Sequence, residues 1–206
     1  MLAIQVIAKE NSGISPELKF SSYVSYMTSV ANVLSAVEAE VAKYWFFDRT
    51  AVTEDGFKAS CKKIRDNFNK GGKGQGRLDY ILNSARDLMY YRVTAISDGK
   101  KLDGRLQDTW LLTADQGLLE LSKSIYFCPY EGTLAKYVSF SRHPEQVSDP
   151  YWKFCDQLLA DTVENRRTTM KTDTRRIAQH DWDLVSSSVE ELEGKIMQYW
   201  PKESTV

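Results

Sequence analysis

Arg175 and His180, in the stretch TDTRRIAQHDWD at 172–183, are the residues of this chain whose types and spacing suit phosphate chemistry. Arginine offers a planar, permanently charged fork to a phosphate, and imidazole moves protons near neutral pH. Together they could bind a scissile phosphodiester and shuttle the proton of a neighbouring hydroxyl. Five residues along an unbroken helix turn through about 500°, which leaves the two side chains about 140° apart. Arg176 and His180, at i and i+4, would share a face instead. Catalysis through Arg175 therefore needs a helix end or a distortion before His180. Two other readings stay open for His180. It can be a surface or interhelical histidine held by Asp181 or Asp183, or a metal ligand beside those aspartates, for which further histidines are missing. The other histidine, His143, precedes Pro144 in a segment read as a loop and is given no role.

Charge is segregated although the whole chain carries a formal charge of only −1. Within 58–77, Lys58, Lys62, Lys63, Arg65, Lys70, Lys73 and Arg77 face the single Asp66, a net of +6. Within 166–176, Arg166, Arg167, Lys171, Arg175 and Arg176 face Asp173, a net of +4. Brought together, the two segments would line a groove for a phosphate backbone, with salt-sensitive affinity. Left apart, they are the solvated faces of amphipathic helices. Tyr90 and Tyr91 could offer bases a stacking surface. The run KGGKGQG at 70–76 invites a phosphate-loop reading, but it follows a helical pattern and lacks G-x-x-x-x-G-K-[ST]. It reads as a flexible basic loop.

The elements that would position these residues are predominantly helical. Ser15 and Pro16 start a long amphipathic helix over about 16–46, with Phe20, Val24, Met27, Ala31, Leu34, Val37, Val41 and Trp45 at steps of three and four. Further helices are predicted over 53–68, 76–96, 105–126 and from Asp149-Pro150 onward. Ser188 with Glu191 reads as a capping box that starts a last helix, ended by Pro201. The first ten residues, rich in Ile, Val and Leu, suggest a short strand, and 134–141 a short hairpin. The expected fold is all-α: one helical domain of about six helices spanning 1–206.

In its R-x4-H motif, set after one helix and before a closing one, the chain resembles the HEPN superfamily of small helical ribonucleases. The resemblance implies metal-independent RNA cleavage, with two motifs meeting across a dimer interface. Arg175 would bind and polarise the phosphate, and His180 would move the proton of the 2′-hydroxyl or of the leaving oxygen.

The totals limit the alternatives. With 42% hydrophobic residues in 206, the chain can bury a sizeable core. No apolar run has the length of a bilayer span and the N-terminus lacks a signal-peptide pattern, so a cytoplasmic protein without membrane contact is expected. Cys61, Cys128 and Cys155 are odd in number and far apart, which predicts free, buried thiols rather than disulfides or a zinc site. No hydrolase or metalloprotease motif is present, and neither metal nor cofactor is expected. The reading that asks least of the sequence is a non-catalytic binding or assembly protein, such as a viral, phage or defence-complex subunit. Its basic segments would engage nucleic acid, RNA before DNA, or an acidic protein surface, and its five Trp and eleven Tyr suit protein contacts and a possible homodimer. The alternative is the HEPN-like ribonuclease.

Overall fold

The computed structural model describes residues 1–69, 71–102, 104–129, 136–170 and 179–202, with the backbone alone for Ala51, Leu102, Thr169, Met170, Gln179, His180 and Asp181. Among the described residues nine α-helices dominate, joined by two small antiparallel hairpins, so the all-α expectation holds with more and shorter helices than the six foreseen.

The N-terminal segment is a helix, α1 (Leu2–Glu10), not a strand. Its Ile and Val content favours a strand only as a weak local tendency. Ala3, Ile4, Val6 and Ile7 lie on one broad helical face, and that face is buried against partners from both ends of the chain.

The long helix foreseen over 16–46 is two: α2 (Pro16–Ser29), capped by the Ser15 side chain, and α3 (Ala36–Phe46). Between them Asn32 takes a left-handed conformation (φ 49°), and the Val33 N–H folds back onto the Met27 carbonyl at 2.8 Å. Asn tolerates that conformation better than most residues. The apolar spacing runs through the break unchanged, so periodicity alone could not reveal it. α3 is buried around its whole circumference.

A 3-10 turn (Arg49–Ala51) leads to α4 (Asp55–Phe68), and α5 (Gln75–Ser97) follows. The predicted helix over 105–126 is largely absent. Strands β1 (Lys101–Leu102) and β2 (Arg105–Leu106) pair there, and only α6 (Gln116–Ser122) is helical, started by Asp115, whose carboxylate accepts the Gly117 and Leu118 N–H groups. Leu106 and Trp110, which that helix would have packed, are exposed. α6 lies tightly on α4 at Gly117, where a Cβ would come within 2.3 Å of the Asn67 Cβ and 2.6 Å of the Lys63 carbonyl oxygen. Strands β3 (Ile125–Pro129) and β4 (Lys136–Phe140) pair antiparallel from Ile125 opposite Phe140 to Pro129 opposite Lys136. Only β4 falls within the hairpin expected near 134–141, and β3 begins inside the span predicted as helix.

The short α7 (Pro144–Ser148) and the long α8 (Pro150–Met170) follow, and α9 (Gln179–Tyr199) closes the described chain. Ser188 does not start α9: it is buried in the helix interior, where α9 packs on α1. Glu191 likewise sits mid-helix, its carboxylate 3.0 Å from Lys195 one turn on. One cluster of buried side chains runs from α1 through α3, α4 and α6 to Trp152 and Cys155 of α8 and Ile196 of α9. Cys61 and Cys155 are buried and Cys128 partly so, all as free thiols. Burial pushes Cys61 and Cys155 up to about 12.

Candidate anion-binding face

α4 owes its two faces to spacing. Phe57, Cys61, Ile64 and Phe68 recur at helical intervals and are buried. Lys58, Lys62 and Arg65, at i, i+4 and i+7, fall on the adjoining flank, about 100° around the axis. A fourth cation joins them from the 3-10 turn. The Asp48 carboxylate accepts the Thr50 N–H at 2.9 Å and the Thr50 hydroxyl at 2.8 Å, and the turn so held carries Arg49 to α4. These bonds hold the Asp48 carboxyl below the usual carboxylate range. Arg49, Lys58, Lys62 and Arg65 line an open cavity of about 520 Å³, with Asp48 and Asp55 at its wall. Lys62 also pairs with Asp66 along the helix. Burial, and then the like charge of Arg49, lower Arg65 from its ordinary value. Two guanidinium groups thus converge where an anion would relieve their repulsion.

The other members of the predicted basic segments go elsewhere. Lys63 turns to α6, its Nζ 3.4 Å from Glu120, which it shares with Lys123 at 3.1 Å. Lys73 is exposed in the glycine-rich run, which is no loose loop at Gly74: that residue is buried, and its N–H donates to the Trp200 carbonyl at 2.6 Å. Arg77 is buried against the Trp200 ring, not offered to solvent. Arg166 donates to the Asn32 side chain (3.2 Å) and carbonyl (3.1 Å), bracing the left-handed turn, and Arg167 pairs with Glu164 at 3.1 Å. Lys70, Lys171, Arg175 and Arg176 lie outside the described residues, as does the His180 side chain. The two basic segments have different neighbours, α4 packing on α6, α3 and α5, and α8 on α2 and α7. Tyr91 donates its hydroxyl to the Ile125 carbonyl at 2.9 Å, which leaves only Tyr90 of that pair exposed.

His143 is a structural residue. Its Nδ1 accepts the Glu145 N–H, its Nε2 lies 2.6 Å from Glu54, and its ring stacks on Phe57 at 4.4 Å. Among the described residues no group of three His, Cys, Asp or Glu side chains could hold a metal ion.

Sequence reasoning missed Arg49, which stands outside both basic runs, and a cluster of four charges that is buried except at Asp156, whose side chain is 42% exposed. Glu40 and Lys43 of α3 are fully buried, with the Lys43 Nζ 3.3 Å from Glu40 and in contact with Asp156 of α8. Arg142 spans both carboxylates, giving Nη2 to Glu40 at 3.0 Å and Nε to Asp156 at 2.9 Å. Burial opposes its charge, but Glu40 and then Asp156 raise Arg142 above its ordinary value. For Asp156 too, burial is outweighed by Arg142 and Lys43, which hold its carboxyl low. The signal was available: E-x-x-K inside the apolar AVEAEVAKYWFF is a pair with no wet face to occupy. A cavity of about 670 Å³ opens beside this cluster, with Leu34, Val138, Phe140 and Leu159 among its walls. The two cations and two carboxylates satisfy one another, so the cluster offers a ligand little charge. A cavity of about 430 Å³ between α5 and α9 is mainly apolar and holds none of the predicted residues.

Compared with known proteins, the chain matches no family model, no curated protein and no solved structure.

Proposed function

We propose that this is a non-catalytic binding or assembly protein that engages a nucleic acid, RNA before DNA, through Arg49, Lys58, Lys62 and Arg65. One observation supports the reading above the others: four cations from two successive elements line one open cavity of about 520 Å³ and outnumber its two carboxylates, Asp48 and Asp55. Arginine forks match phosphate oxygens in pairs, while lysines supply mobile charge along a backbone. An acidic protein surface is the other occupant this chemistry would accept. Among the described residues no helix is long and apolar enough to cross a membrane.

The test is retention of a mixed RNA pool, in EDTA, across a range of salt concentrations. The expected result is intact RNA bound with affinity that falls linearly on logarithmic axes, weakened in a Lys58→Ala/Lys62→Ala/Arg65→Ala variant. No retention at any salt concentration sinks the reading. Metal-independent cleavage that disappears in His180→Ala would replace it with the ribonuclease acting through Arg175 and His180.

A further inference from the structure

α5 is 23 residues long, and the aligned peptide dipoles of such a helix place about half a positive charge at its N-terminus. Sequences ordinarily answer with an accepting side chain at the N-cap and an acid in the first turn. α5 has neither. Its N-cap is Gly74, which brings no side chain, and its first turn holds no Asp or Glu. The N–H groups of Gln75 and Gly76 have no intrahelical acceptor.

Cations gather where the acid would be. The Lys202 side chain packs so closely on Gly74 that a methyl there would come within 2.7 Å of its Cγ. Arg77 stands at the third helical position, where the Cα–Cβ bond tilts toward the cap. Its Cζ lies 3.9 Å from the centroid of the Trp200 ring, the residue whose carbonyl holds the Gly74 N–H. Lys9 Nζ lies 6.0 Å from the same ring. Arg77 is 8% exposed and its Nε is buried with no hydrogen-bond partner. Among the described residues no carboxylate pairs with it, and burial alone lowers its guanidinium from the ordinary value. Among the described residues this is a buried guanidinium without a carboxylate partner, set beside a helix N-terminus without an acid, an arrangement that one anion would complete.

We propose that the first turn of α5, with Arg77 and Trp200, is a binding site for a phosphate dianion. Donors here come from several directions: two backbone N–H groups, the Arg77 guanidinium and the charge of Lys202. That suits a tetrahedral group with three charged oxygens better than a planar carboxylate. The phosphate can be free or the terminal group of a nucleic-acid strand. This inference does not rest on the α4 face, whose residues belong to other elements.

The experiment is calorimetric titration with inorganic phosphate at low ionic strength. The wild-type protein should bind at one saturable site, and Arg77→Met should weaken binding about tenfold or more. Gly76→Asp is the sharper variant. An added Cβ at Gly76 meets nothing within 4 Å, so the new carboxylate takes the anion's place without strain. It should abolish phosphate binding while holding or raising the unfolding temperature, and Gly76→Ala should still bind. If Arg77→Met does not fold, Gly76→Asp still decides. A 5′-phosphorylated oligonucleotide that binds more tightly than both its unphosphorylated form and inorganic phosphate assigns the site to strand ends. Inorganic phosphate binding as tightly as the phosphorylated strand assigns it to the free ion. Absence of saturable phosphate binding, or equal binding by Gly76→Asp, overturns the proposal. The triple alanine variant of α4 should bind phosphate as the wild type does, which keeps the two proposals separable.

Discussion

The molecule holds two clusters of four charges that differ in nearly every physical respect. Glu40, Lys43, Arg142 and Asp156 are balanced, two cations against two carboxylates, and tie α3 and α8 to the segment after β4. Phe140 and Trp152 lie 5.0 and 5.2 Å from the Arg142 Cζ and help exclude water. Arg49, Lys58, Lys62 and Arg65 border an open cavity and outnumber the two carboxylates in its wall, Asp48 and Asp55. Taking a charge out of water is costly unless it is paired and hydrogen-bonded, so the buried cluster persists only because each member satisfies another. The exposed cluster keeps its repulsion because solvent screens it. A balanced, buried cluster serves the fold, and an unbalanced, wet one is available to a partner.

The strongest way to break this contrast is Glu40→Gln. It leaves Lys43 and Arg142 buried with one carboxylate between them and should cost about 3–5 kcal/mol, measured by urea unfolding. A cost no larger than that of a surface substitution would mean that water reaches the cluster. Gly117→Ala probes the packing that holds α4 in place. Its methyl would meet the Asn67 Cβ and the Lys63 carbonyl, so a loss of about 1–3 kcal/mol in the same assay is expected.

Acid should distinguish the clusters next. The Asp156 carboxyl is held low in the folded protein, so the unfolded chain takes up its proton first. Its contribution is complete above the unfolded carboxyl value of about 3.9 and is lost as pH falls through the lower folded value. Thermal unfolding followed from neutral pH to about pH 3 should show this loss, diminished in Asp156→Asn. The smallest effect on stability belongs to the exposed face. Lys58→Ala and Lys62→Ala should each change stability by no more than about 0.5 kcal/mol. If single-stranded RNA is the partner, the two together should reduce the salt slope of binding by about 1.4. A large stability loss from either lysine would make the exposed cluster structural after all.

Much of the fold was legible. α4 and α5 follow their predicted spans within two residues because their apolar spacing, their ends and their surroundings agree. The failures share one cause. The break at Asn32, the helical α1 and the short α6 in place of a long helix each depend on what lies across the interface, and a local pattern does not record that. The cations of α4 were legible for the same reason that α4 was: helical spacing places them on one flank, about 100° around the axis from Phe57, Cys61 and Ile64. Arg49 was not, because a three-residue turn beside Asp48 brings it in. Arg77 was read as a surface cation, since nothing in its own helix announces that Trp200, 123 residues later, stacks on it.

The sequence by itself determined a helical chain, its amphipathic faces and the charge carried by each, because these follow from spacing along a single element. Only the tertiary structure decided which charges are neutralised and which remain open to a partner. Whether a lysine is buried beside a carboxylate, turned toward another helix or left in water depends on residues distant in the chain, and on the cost of leaving a buried charge alone.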